Sequence, residues 1–126
     1  MSPITTHILD TALGRPAAGV AVALTFLDGG AWRPLGAGQT DSDGRLRTLL
    51  PDGHALQPGH YRISFAVGAY HAAQGQTGFF PEVTLDFLVG DPAQHYHVPL
   101  LLSPFGFSTY RGSLSSTPRE PVPPGP

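Results

Sequence analysis

A chain of 126 residues and 13.3 kDa has length for one domain around one core. A net charge of −2 provides no electrostatic basis for binding nucleic acid or an anionic membrane. The absence of cysteine excludes thiol nucleophiles, disulfides and thiolate metal sites; all seven cations are arginine, so Schiff-base chemistry and a phosphate-loop lysine are excluded as well.

Sixteen glycines and fourteen prolines favour a turn-rich, all-β plan. The opening "MSPITTHILD" lacks a basic segment followed by an apolar one, so no signal peptide is expected. No apolar run is long enough to cross a bilayer, and a cytoplasmic location follows as the default.

Short β-favouring runs alternate with turn signals along the chain. "ITTHILD" comes first, then "VAVALTFL", where Val20, Val22, Leu24 and Phe26 alternate with smaller or more polar residues as in a half-buried strand. "DGGAWRPLGAGQ" reads as a hairpin connection. "TDSDGRLRTLL" carries an Asp-Gly turn at Asp43-Gly44 ahead of a short strand. "HYRISFAV" places Tyr61, Ile63, Phe65 and Val67 on one face, and the alanines of "GAYHAAQGQTG" suit one short helix. "EVTLDFLV" aligns Val83, Leu85, Phe87 and Val89; "HYHVPLLL" and "FSTYRGS" follow. Seven or eight short strands with one short helix predict a β-sandwich. Residues 1–113 form the predicted domain, and "LSSTPREPVPPGP" (114–126), with five prolines and little to bury, is expected to be a disordered tail.

Alternation sends Tyr96, Val98, Leu100 and Leu102 of "HYHVPLLL" to the core and leaves His95 and His97 on the opposite face. Two imidazoles there are either solvent-facing strand residues or the beginning of a zinc site, for which His7 is the candidate third ligand. His7 lies opposite Ile4, Thr6 and Ile8 and so also points away from the core. Arg45 follows the Asp43-Gly44 turn, which by itself makes it a solvated hairpin residue. In the last strand, alternation separates Tyr110 from Arg111, so only one of them faces any given pocket. His54, His60 and His71 lie near loop and helix signals and are expected at the surface.

The segments "THILDTALGRPAAGVAVAL", "TDSDGR" and "HYHVPLLLSPFGFSTYRGS", in that order, resemble the 5-hydroxyisourate hydrolases, the transthyretin-like enzymes of urate breakdown. The resemblance runs from about Ile4 to Ser113, and "YRGS" is its most specific motif. It implies a transthyretin-like sandwich of two sheets, a homotetramer (a dimer of dimers) enclosing a channel, and functional residues His7, Arg45, His97 and the run Tyr110 to Ser113. The implied reaction opens the cyclic amide of 5-hydroxyisourate to give 2-oxo-4-hydroxy-4-carboxy-5-ureidoimidazoline, without cofactor or metal. His7 or His97 would activate water, Arg45 would orient substrate and stabilise negative charge, Tyr110 would contact the ring, and Ser113 would hold water or substrate; His95 would be supporting. In the family the tetrapeptide commonly closes the chain, whereas here thirteen residues follow Ser113. The first half also resembles carboxypeptidase regulatory-like modules, and the fold is shared with transthyretin-type carriers. Neither of these accounts for His7, "HYH" and "TYRGS" together.

Overall fold

The computed structural model describes residues 2–113, so the expected tail lies outside the described residues. Two sheets face one another. In the first, the order is β2 (Arg15–Pro16), β1 (Ile4–Asp10), β8 (Tyr96–Ser103) and β9 (Gly106–Thr109), with β5 (Arg45–Leu46) also pairing with β1. In the second, the order is β4 (Ala31–Gln39), β3 (Ala21–Asp28), β6 (Gly59–Phe65) and β7 (Val83–Val89). One helix, α1 (Val67–Ala73), follows β6 directly. No helix among the described residues is long and apolar enough to cross a membrane.

The alternating positions meet between the sheets. Val22, Leu24 and Phe26 of β3, Tyr61, Ile63 and Phe65 of β6, and Tyr96, Val98, Leu100 and Leu102 of β8 are all buried, with Ile4 and Ile8 of β1 beside those of β8. Each fully buried aliphatic side chain contributes roughly 1.5–3 kcal/mol of transfer free energy. Phe26, Tyr61 and Phe87 form a run of ring contacts at 4.8 and 5.8 Å, so β7 is packed onto the core although Phe87 stays partly exposed.

Two expectations are corrected. "AWRPLGAGQ" is no hairpin connection but the nine-residue strand β4, paired with β3 along its length. The turn is confined to Gly29 and Gly30, both at positive φ. Pro34 is tolerated because β4 is an edge strand and the register slips beside it, between Leu24 and Thr25 of β3. His71, expected at the surface, is only 1 % exposed: it lies on the inner side of α1, where its Nδ1 meets Gln76 Oε1 at 3.1 Å and its ring packs against Gly78. A seven-residue helix laid on the sandwich buries a face that strand alternation does not predict.

The pairing that matters most for function is parallel. β1 and β8, far apart in sequence, run side by side in the middle of the first sheet, with Thr5 beside His97 and His7 beside Pro99.

Candidate active site

The outward face of the first sheet collects the polar groups singled out in the sequence. His7 of β1 stands directly across from Arg45 of β5. On the other side of β1, Thr5 stands beside His97, and His97 pairs in turn with Gly112 through an isolated bridge. Cross-strand partners share a face. Arg45, His7, His97 and Gly112 therefore span four chain segments on one surface. Leu9 and Leu101, adjacent in register and partly exposed, continue that surface as an apolar flank.

The turn before β5 is built to hold Arg45 against His7. One Asp41 carboxylate oxygen accepts the backbone N–H groups of Asp43 (2.9 Å) and Arg45 (3.0 Å), and these bonds hold the Asp41 carboxyl below its usual range, the Arg45 bond most strongly. Gly44 adopts φ +74°, and a Cβ there would collide with the Ile8 carbonyl oxygen, so the turn requires glycine. Its carbonyl accepts Ile8 N–H at 2.8 Å, which ties the turn to β1. His7 completes the link by donating Nε2–H to the Asp43 carbonyl at 3.0 Å. A carbonyl only accepts, so His7 carries its proton on Nε2 and its lone pair on Nδ1.

His97 is held more tightly. It is 9 % exposed, and its Nδ1 lies 2.8 Å from the Thr5 hydroxyl, which also meets His95 Nε2 at 2.9 Å. Gly112 donates its N–H to the His97 carbonyl at 2.9 Å, and a Cβ on Gly112 would fall 2.7 Å from His97 Cδ2. The glycine of "YRGS" is thus the shelf on which the imidazole lies.

All three imidazoles favour the neutral, basic form. Burial lowers the pKa of His7, and the Arg45 guanidinium lowers it further. Burial lowers His97 most, with the charges of His7, His95 and Arg45 adding to the effect; burial is also the main cause at His95.

β9 ends at Thr109, so Tyr110 and Arg111 lie beyond the strand and are not divided between faces as alternation predicts: both line one cavity. The Arg111 guanidinium lies 4.6 Å from the Tyr96 ring centroid and donates to Gln94 Oε1 at 2.7 Å. Tyr110 is 59 % exposed and, with Arg111 and His97, helps line this cavity of about 250 Å³, whose other walls include Leu85, Phe87 and Val98. Ser113 is exposed, one residue beyond the His97–Gly112 bridge. Among the described residues no three His, Asp or Glu side chains converge as a metal site. Thr5 was passed over in the sequence. Alternation placed it on the His7 face, but nothing local announced a partner ninety-two residues away.

Residues 4–112 match the model of the HIUase/Transthyretin family. The chain belongs to this family. Among its relatives, the 5-hydroxyisourate hydrolase of Caulobacter vibrioides is 49% identical over 117 residues, covering 90% of this chain and 100% of the relative. The solved structure of Klebsiella pneumoniae 5-hydroxyisourate hydrolase superposes with a TM-score of 0.75 at 37% identity, covering 87% of this chain and 98% of that one. Sea bream transthyretin in complex with thyroxine superposes with a TM-score of 0.83 at 32% identity, covering 94% and 100%. This architecture is thus shared by a 5-hydroxyisourate hydrolase and by a transthyretin solved in complex with thyroxine.

Proposed function

We propose that the chain hydrolyses 5-hydroxyisourate, opening its cyclic amide to 2-oxo-4-hydroxy-4-carboxy-5-ureidoimidazoline, with His7, Arg45 and His97 as the catalytic groups. The observation that carries this reading is the continuous row His97, Thr5, His7, Arg45 across β8, β1 and β5. Two neutral imidazoles beside a guanidinium suit a hydrolysis, which needs a base for water and a positive charge for the developing oxyanion.

The chemistry follows from the row. One imidazole takes a proton from water, and the resulting hydroxide adds to the amide carbonyl. Charge develops on the carbonyl oxygen, where the planar and permanently ionised Arg45 stabilises it. The C–N bond then breaks, and the leaving nitrogen receives the proton held by imidazole. Tyr110 contacts the substrate ring, and Ser113 holds water or substrate at the rim. No cofactor enters this scheme.

The mixed polar and apolar surface around His7, Leu9 and Leu101 suits a chamber between protomers, so the reading includes a homotetramer, a dimer of dimers, acting in the cytoplasm. Freshly generated 5-hydroxyisourate has a transient absorbance whose spontaneous decay sets the baseline. The chain should accelerate that decay with saturation kinetics; decay at the spontaneous rate would exclude the hydrolase and leave the carrier.

A further inference from the structure

The hydroxyl of Thr5 lies 2.8 Å from His97 Nδ1 and 2.9 Å from His95 Nε2, and Thr5 is 2 % exposed. A hydroxyl has one proton, so it donates to at most one of these two rings, and at least one ring must donate to it. If Thr5 donated to His97, the His97 proton would sit on Nε2 and no lone pair would be left there. If His97 donates to Thr5, its Nε2 lone pair is free, and the Thr5 proton can pass to the lone pair on His95 Nε2. The orientation of one buried hydroxyl therefore decides whether His97 has a basic nitrogen on the side away from Thr5.

We propose that Thr5 is a positioning residue whose hydroxyl, shared with His95, holds His97 in the tautomer with its proton on Nδ1 and its lone pair on Nε2. This rests on the hydrolase reading above for its catalytic meaning, but not for its geometry. It gives His95 a defined task as the acceptor at the end of a three-member chain. It also predicts opposite tautomers for the two site histidines, because His7 carries its proton on Nε2 toward the Asp43 carbonyl. The two rings would thus offer different nitrogens to one substrate, Nδ1 from His7 and Nε2 from His97.

Two measurements on the full chain test this. In ¹⁵N-histidine NMR spectra at pH 8, wild type should show His97 protonated on Nδ1 and His7 on Nε2. Thr5→Val, which keeps the branched shape but removes the hydroxyl, should shift His97 toward the Nε2–H form. In turnover, Thr5→Val should lower kcat by about 10- to 100-fold, by analogy with the loss when a partner orienting a metal-ligating histidine is removed, with KM nearly unchanged; Thr5→Ser should restore most of it. Wild-type His97 protonated on Nε2, or Thr5→Val with unchanged kcat, would overturn the proposal. Should Thr5→Val fail to fold, Thr5→Ser still decides, since it must retain the wild-type His97 spectrum. The spectra need no substrate, so the expected tautomers in a chain without turnover would uphold the positioning role and sink only the hydrolase reading.

Discussion

His7 and Arg45 are direct cross-strand partners in the antiparallel pair of β1 and β5, and the guanidinium acts with burial to keep the imidazole neutral. Arg45→Gln removes both the charge proposed to stabilise the oxyanion and one of the influences depressing the His7 and His97 pKa values. Steady-state ring opening should fall by about 10²- to 10³-fold. The acid limb of the kcat/KM profile should also move to higher pH. An Arg45→Gln variant with its acid limb unmoved would show that the guanidinium does not reach the working base.

Gly112→Ala tests the shelf beneath His97. The added Cβ would fall 2.7 Å from His97 Cδ2, so the ring must shift while the sandwich core is untouched. A misplacement of about 1 Å costs on the order of 10²-fold in rate. The expected outcome is that loss in kcat with little change in thermal midpoint, checked by turnover and calorimetry on the same preparation.

The three site histidines also link stability to pH. Their folded-state pKa values lie below the ordinary 6.5, so between that value and the lower folded ones the unfolded chain binds more protons than the native one. Stability is therefore fully present above about pH 6.5 and is lost as the pH falls below it. Denaturant midpoints measured from pH 8 to pH 5 should decline on the acid side, and His97→Gln should flatten the decline. For activity, the acid limb in wild type should lie below pH 6.5.

Away from the site, Tyr70 on α1 donates its hydroxyl to a fully buried Asp10 carboxylate oxygen at 2.7 Å, while the other oxygen accepts Leu13 N–H at 2.9 Å. Burial and this bond raise the Tyr70 pKa to about 12. Tyr70→Phe leaves a buried carboxylate short of a donor, which should cost about 1.5–3 kcal/mol in urea unfolding. Turnover should stay near wild type, because the pair joins the helix to the end of β1 beyond the proposed catalytic row.

Most of the sandwich was legible because its strands bury alternate residues: Val22, Leu24 and Phe26, then Tyr61, Ile63 and Phe65, read directly as inward faces. The face of His7 and His97 was legible for the same reason. What alternation could not provide was pairing. Nothing near Arg45 says that its partner is His7, and nothing near Thr5 says that it bridges two imidazoles from the far end of the chain, since both depend on how distant segments align. β4 was obscured by Pro34 and its glycines, which an edge strand accepts. Gly36 in particular is needed where a Cβ would collide with the Leu49 carbonyl. His71 was misread because a short helix packed on a sandwich hides a face without a strand period.

The most direct measurement is the ring-opening rate of 5-hydroxyisourate for wild type, His7→Ala, His97→Ala, Arg45→Ala and the double variant His7→Ala/His97→Ala, each corrected for spontaneous decay. If the row is one catalytic unit, every single variant loses at least about 10²-fold, and the double variant loses little more than the worse of its two parents. Near-normal rates in all three single variants, with wild type active, would mean that the reaction takes place elsewhere on the protein.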